Sequence, residues 1–401
     1  MKFQGHSTVL SLTAITLLAS SLFGCATHSS HEGWVNDADS RWKSLRSTAL
    51  LEMAKDRFEA GALDQAEKTV TEAAAIDSTN PQLHLLAGRI ALERGQLERA
   101  YRLFQLSADL NANEPDTFYY QGVILQRWKQ YDAALEAYQS AYDLDKDNPA
   151  RLLAIGETLV ELDRPQDAIE LLEEKKYYFD QNAGLRALLG HLYRMQGEPR
   201  LAVEAFRQAT TLDAENMRLH EELAFSQVEA GNFADAATTL RMLLALPEYE
   251  NRSDLKRSLA QAEAETGRLQ SAREIYIELT RDDPSHTADW LRLGEVSWKL
   301  DDTGGALIAA NRAISLSPQR EEGYLLAGMV WQKRGRVQDA LEMFDRAAEL
   351  APQDATPLIL RGLSLQKTDR LAAAAEAYEE ALRRDPEDRR AERLLTQVTS
   401  P

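Results

Sequence analysis

The sequence contains a single cysteine, Cys25, and only seven histidines among its 401 residues. One cysteine excludes an intramolecular disulfide and every metal site built from several thiolates. The histidines are scattered, and no HExxH pair occurs among them. His28 and His31 could contact a metal weakly, but we interpret them as part of a solvated segment. The sequence therefore predicts no metal site.

Basic residues are in the minority, with 46 Lys and Arg against 64 Asp and Glu, and the net charge is −18. Since nucleic acids are bound chiefly through their phosphates, we expect no nucleic-acid partner. Walker loops, dinucleotide-binding fingerprints and GxSxG motifs are missing from the sequence. We therefore expect no enzyme, no cofactor and no small-molecule substrate, with an enzyme kept as a remote alternative.

A long apolar run occurs only near the N-terminus. Lys2 precedes an apolar stretch from Val9 to Phe23, which is interrupted by Ser and Thr and ends at small residues. The stretch is shorter than the roughly 20 apolar residues that a transmembrane helix needs. This pattern predicts a signal peptide in residues 1–24.

The junction Leu22-Phe23-Gly24-Cys25 resembles the lipobox of bacterial lipoproteins, although Phe23 is larger than the residue usual there. The resemblance implies that Cys25 is lipidated, with palmitate among its acyl chains, and becomes the mature N-terminus. Because Ala26 is not Asp, it also implies a lipid anchor in the outer membrane, with the protein on the periplasmic face. The alternative is ordinary cleavage after Ala26. Residues 25–46 are predicted to be a lipidated N-terminus and a polar linker.

From residue 47 onward the chain repeats itself with a period of 34 residues. Alanine recurs in one register, with a single step of 36 residues near Pro247–Glu250, at Ala66, Ala100, Ala134, Ala168, Ala202, Ala236, Ala272, Ala306, Ala340 and Ala374. The register defines ten units: 47–80, 81–114, 115–148, 149–182, 183–216, 217–252, 253–286, 287–320, 321–354 and 355–388.

Each unit carries the marks of two helices joined by a turn. Twelve residues before the alanine stands Gly or Ala, as at Gly88, which suggests that two helix backbones approach closely there. Five residues before the alanine stands Gly, Asp or Lys, as at Gly95, which is typical of a left-handed helix cap. Larger side chains four residues after the alanine, such as Phe104, are predicted to fill the seam between the helices.

Small residues at position eight, Ala at twenty, an aromatic residue at twenty-four and Pro near thirty-two resemble the tetratricopeptide repeat (TPR). The resemblance covers residues 47–388 and extends to TPR lipoproteins of pilus and secretin assembly. It implies an all-α fold, a right-handed TPR superhelix (α-solenoid) of about ten helix-turn-helix repeats. Residues 389–401 are predicted to form a capping helix and tail.

The TPR resemblance also implies that the first helix of each unit faces a concave groove that binds a protein or peptide. Many of the leucines in these helices have an alternative role, which is packing against neighbouring first helices. The groove candidates are Leu85, Tyr119, Tyr120, Leu153, Glu221, Arg257, Leu291, Trp298, Leu325, Met329 and Ile359.

Taken together, these features predict a scaffold anchored to the outer membrane and exposed to the periplasm. Its expected role is protein–protein interaction during assembly of an envelope machine for a pilus, a secretin or polysaccharide export. An adaptor that recruits a cell-wall hydrolase or protease is the alternative.

Overall fold

The computed structural model describes residues 31–399, and every regular element in this range is an α-helix. The predicted signal peptide and Cys25 lie outside the described residues. None of the described helices is both long enough and apolar enough to cross a membrane.

The chain divides into two compact units, which meet in sequence between residues 162 and 163. The described helices of the first unit are α1 His31–Glu59, α2 Leu63–Ile76, α3 Pro81–Glu93, α4 Leu97–Leu110, α5 Pro115–Arg127, α6 Tyr131–Leu144 and α7 Pro149–Glu161.

The second unit begins with the other half of the predicted repeat 149–182. Its described helices are α8 Pro165–Lys175, α9 Ala183–Met195, α10 Pro199–Leu212, α11 Met217–Glu229, α12 Phe233–Leu244, α13 Ser253–Glu265, α14 Leu269–Asp282, α15 Thr287–Lys299, α16 Thr303–Leu316, α17 Glu322–Lys333, α18 Val337–Leu350, α19 Thr356–Gln366, α20 Leu371–Arg384 and α21 Arg389–Thr399.

Within each unit, consecutive helices pack as hairpins, and successive hairpins stack on one another. All ten alanines of the 34-residue register are completely buried. Prolines begin α3, α5 and α7, where the missing N–H has no intrahelical partner to lose. The predicted all-α fold of TPR hairpins is therefore confirmed.

Each predicted helix cap has the expected left-handed backbone. All ten residues five positions before the register alanines have positive φ, with Gly95 at +70°. At Gly95 an added Cβ would meet no atom within 4 Å, so the backbone angle alone favours glycine there. Lys129, Asp163, Asp301 and Asp369 adopt the same angle without being glycine.

The recurring glycine of the first helix has a different role from the one predicted. In five of the repeats, the atoms nearest to an added Cβ belong to an aromatic ring of the second helix and not to a helix backbone. A Cβ added to Gly88 would lie 2.5 Å from the ring of Phe104, and a Cβ added to Gly122 would lie 2.6 Å from the ring of Tyr138. Both rings are almost completely buried, which confirms that these residues belong to the core.

Two segments depart from the regular pattern. Residues 31–46, assigned above to a linker, form the first half of α1, which has 29 residues where the later first helices have 11 to 13. The inserted residues near Pro247 lengthen the connection between α12 and α13, and Tyr249 in this connection is buried against both helices.

The final helix, α21, covers the last hairpin as predicted. Ala391 is fully buried, and Leu394, Leu395 and Val398 pack against the cores formed by α19 and α20. Asp388 caps the helix, because its Oδ1 accepts hydrogen bonds from the backbone N–H groups of Arg390 (2.8 Å) and Ala391 (3.2 Å).

Replacing Gly88 by Ala should lower the free energy of unfolding by about 1–3 kcal/mol, because the new methyl group overlaps the Phe104 ring. Chemical denaturation of the full chain measures this change. Phe104→Leu should offset part of the cost of Gly88→Ala, but none of the cost of Gly95→Ala, where strain comes from the backbone alone. Strictly additive effects of Gly88→Ala and Phe104→Leu would contradict the ring-on-glycine contact.

The cap of α21 should weaken in acid. The hydrogen-bonded Arg390 guanidinium, helped by backbone N–H groups, lowers the pKa of Asp388 from 3.8 to about 2. A carboxyl group with a lowered folded-state pKa stabilises fully above its unfolded value and loses this contribution as pH falls towards about 2. The protection factors of α21 amides, which correct for the intrinsic pH dependence of hydrogen exchange, should therefore fall between about pH 4 and pH 2.

The matched variant is Asp388→Asn, which keeps a capping oxygen but removes the charge. This variant should show a flatter pH dependence of α21 exchange over the same range. Equal pH profiles for the two proteins would show that the Asp388 charge does not hold the helix.

Candidate protein-binding surface

An aromatic cluster lies on the first helices of the first unit. It consists of Phe58 on α1, Arg89 on α3, and Tyr119 and Tyr120 on α5, and all four side chains are half-buried. The rings of Tyr119 and Tyr120 meet edge to face with centroids 5.5 Å apart. Tyr120 also stacks on the core residue Phe104, with centroids 5.4 Å apart and an interplanar angle of 15°. The surface rings are therefore held in place by the core.

Arg89 lies between the aromatic rings of this cluster. Its guanidinium carbon is 4.7 Å from the ring centroid of Phe58 and 5.5 Å from that of Tyr120. Stacking on two rings orients the guanidinium and limits its rotamers. Within residues 31–399 no carboxylate forms an ion pair with it.

The two tyrosines of the cluster stay protonated at neutral pH. Burial is the main cause that raises the pKa of each phenol above its ordinary value, and the nearby Arg89 charge only partly opposes this for Tyr120. Neutral phenols offer both a donor and an acceptor beside an apolar ring. The cluster can thus contact an apolar side chain while pairing a carboxylate with Arg89.

Two charged groove candidates, Glu221 and Arg257, lie in the second unit, and both are already in ion pairs. Glu221 on α11 accepts a hydrogen bond from Arg252, which precedes α13, at 2.9 Å. Arg257 on α13 donates from Nε to Asp289 on α15 at 3.0 Å, and Asp289 is buried. These ion pairs connect neighbouring hairpins, so they stabilise the stack and leave less charge for a partner.

The apolar groove candidates of α15 pack against the core of the second unit. Leu291 and Trp298 contact the buried cluster around Leu326. The indole N–H of Trp298 is buried without a hydrogen-bond partner, and Lys333 Nζ lies 5.0 Å from the ring centroid. The predicted groove residues Leu291, Trp298, Leu325 and Met329 are all half-buried.

Two groove candidates belong to the core. Leu85 and Ile359 are each 5% exposed. Leu85 packs in the cluster that contains Phe104 and Ile124, and Ile359 packs against residues of α20 and α21. The fifth position of a repeat therefore points inwards in these two helices, and neither residue can contact a partner as the side chains now lie. Leu153, by contrast, is half-buried on α7.

Phe58 and Arg89 were missing from the predicted groove residues. Both stand at groove positions of the repeat, the twelfth of the first unit and the ninth of the second. The groove residues predicted above lie mostly at the fifth position of the repeat, and they do not include the cation that the rings surround.

Successive helical hairpins that repeat at a constant spacing along the chain define a helical-repeat protein. Two sequence-family models, both described as tetratricopeptide repeat, match this chain. The first matches residues 57–121 and 129–192, and the second matches 188–251, 257–321 and 359–397. The chain belongs to the tetratricopeptide-repeat family, whose repeats indicate a scaffold for protein–protein interaction. A comparison with curated proteins gave no match.

A comparison with solved structures gives matches of low sequence identity and low TM-score. Yeast Tom70 is 13% identical, with 89% of this chain and 88% of that chain covered and a TM-score of 0.42. A TPR protein from Parabacteroides merdae is 15% identical, with coverages of 63% and 99% and a TM-score of 0.43. MamA from Desulfovibrio magneticus is 23% identical, with coverages of 43% and 97% and a TM-score of 0.38.

Proposed function

We propose that this TPR protein is a non-catalytic scaffold, anchored in the outer membrane and facing the periplasm, that holds protein components of an envelope machine during assembly. We expect this machine to be a pilus, a secretin or a polysaccharide-export apparatus. The lipobox-like junction at Cys25 supports the location. The aromatic cluster supports the binding role.

The aromatic cluster carries the binding proposal. In a chain of net charge −18, Arg89 is stacked between Phe58 and Tyr120 without forming an ion pair. Interface residues that dominate binding energy are enriched in tyrosine and arginine. The partner segment we expect presents an apolar side chain next to a carboxylate, as an extended peptide or one face of a helix.

The binding role is tested by capture from cross-linked cell envelopes with the full chain as bait. Arg89→Ala and Tyr120→Ala should each reduce recovery of the specific partner about tenfold or more, because hot-spot truncations cost about 2 kcal/mol or more. Quantitative mass spectrometry of the captured proteins gives the measurement. Tyr177→Ala is the matched control, since Tyr177 is a tyrosine in the second unit with 79% exposure.

Arg89→Ala is the more informative of the two variants, because Tyr120 also packs on Phe104 and its loss could loosen the hairpin. Thermal unfolding of each variant separates lost binding from lost structure. Undiminished capture by folded Arg89→Ala and Tyr120→Ala would refute the role of this surface. Captured secretin or pilus components favour the assembly scaffold, whereas captured cell-wall hydrolases or proteases favour the alternative, a recruiting adaptor.

Membrane anchoring through Cys25 is tested separately. Cys25→Ser should move the protein from the membrane fraction to the soluble periplasmic fraction, because several acyl chains are needed for stable anchoring. Fractionation with immunodetection measures the distribution, and Ser20→Ala provides a control within the predicted signal peptide. Unchanged membrane residence of Cys25→Ser would count against lipidation.

A further inference from the structure

In each later repeat, one face of the first helix packs against the hairpin that precedes it in the chain. The equivalent face of α1 is exposed. The third residue of the second repeat, Leu83, is fully buried and packs against α1 and α2. The third residues of all later repeats are buried as well: Thr117, Arg151, Leu185, Leu219, Leu255, Asp289, Gly323 and Pro357. The corresponding residue of the first repeat, Ala49, is exposed.

An apolar stripe continues this open face along the N-terminal half of α1. We call it the α1 stripe. It recurs at intervals of three or four residues, so it occupies one side of the helix. Its members are Trp34, Ala38, Trp42, Leu45, Ala49 and Met53, all of them exposed.

The α1 stripe is not needed to fold the first hairpin. Trp34, Trp42 and Leu45 are 69%, 65% and 68% exposed. The opposite side of the helix makes the contacts to α2 and α3, through the buried residues Leu51 and Ala54. Residues 31–46 add about 24 Å of helix at the usual rise per residue. Such a row of large exposed apolar side chains marks an interaction surface.

We propose that a second copy of this chain covers the α1 stripe, with the two α1 helices packed antiparallel around a two-fold axis between Leu45 and Arg46. The order of side chains supports this arrangement. Reversing the stripe about this point places Trp42 against Ala49 and Ala38 against Met53, and brings the two copies of Leu45 together beside the axis. Large side chains then face small ones, as close packing requires.

The charges beside the stripe fit the same arrangement. Asp37 and Arg41 flank its N-terminal half and pair with each other at 2.7 Å, and Glu52 and Lys55 flank its C-terminal half and pair at 2.8 Å. These four side chains lie on one flank of the stripe. In the antiparallel pair, Asp37 comes within one helical turn of Lys55 of the second copy, and Arg41 comes within one turn of Glu52 of the second copy. The flank therefore brings opposite charges together, which favours this partner and register.

The mass of the protein in solution tests the proposal. The full chain carrying Cys25→Ser is used, so that a lipid anchor cannot drive association. Sedimentation equilibrium should give twice the chain mass, and adding Trp42→Glu should weaken the dimer about tenfold or more, because the interface would bury a charge. Met195→Glu is the matched control, as Met195 is 61% exposed on α9 and should leave the dimer intact.

Cysteine cross-linking tests the orientation. In the Cys25→Ser chain, Leu45→Cys should form a disulfide-linked dimer on mild oxidation, whereas Trp34→Cys and Ser44→Cys should not. Efficient self-cross-linking at both 34 and 45 would mean a parallel pair and would overturn the antiparallel arrangement.

Two results would overturn self-association itself. One is a monomeric mass at concentrations of tens of micromolar. The other is a dimer whose stability Trp42→Glu does not change. A monomer that binds anionic phospholipid vesicles through Trp34 and Trp42 would show that the α1 stripe covers a lipid surface instead. Unchanged thermal unfolding of Trp42→Glu shows that the variant folds.

Discussion

In five of the ten hairpins, an aromatic ring of the second helix occupies the volume that a side chain on the first helix would otherwise fill. The rings of Phe104 and Tyr138 lie over Gly88 and Gly122, and the register alanine twelve residues after each glycine is completely buried. Because interiors are close-packed, this contact determines how near the two helices lie. The hairpin around Gly294 meets the same need differently, since Ala310 replaces the ring and Leu326 of the next hairpin fills the space.

Because side chains of the second helix fill the space between the two helices of a hairpin, the outer side chains of the first helix are not needed for this packing. In the first unit these outer side chains form a half-buried surface, and the core residue Phe104 stacks on one of its rings. The surface consists of Phe58, Arg89, Tyr119 and Tyr120. In the second unit, many of the equivalent positions hold ion pairs between neighbouring hairpins, such as Arg257 with Asp289. The two units thus use the same positions for different purposes, and a binding role fits the first unit better.

Local rules made much of the fold predictable. A residue five positions before each register alanine must end a helix, and the left-handed angles at Gly95 and Asp163 follow from that requirement. The position of a residue within the repeat predicts which side of the helix its side chain lies on. It does not predict how deeply that side chain is buried, and Leu85, a predicted groove residue, is therefore found in the core. Contacts between residues about 32 positions apart, such as Arg257 with Asp289, depend on rotamers and neighbours that periodicity does not specify. The helical extension of α1 was missed because it lies before the first register position.

The central claim is that the first helices of the first unit form the surface by which the scaffold binds its protein partner. A photo-cross-linking amino acid placed at position 93, an exposed site on α3 near Tyr120, tests it most directly in intact cells. The account predicts a specific adduct from position 93 and none from position 106, an exposed site on the second helix α4. An adduct from position 106 without one from position 93 would contradict it.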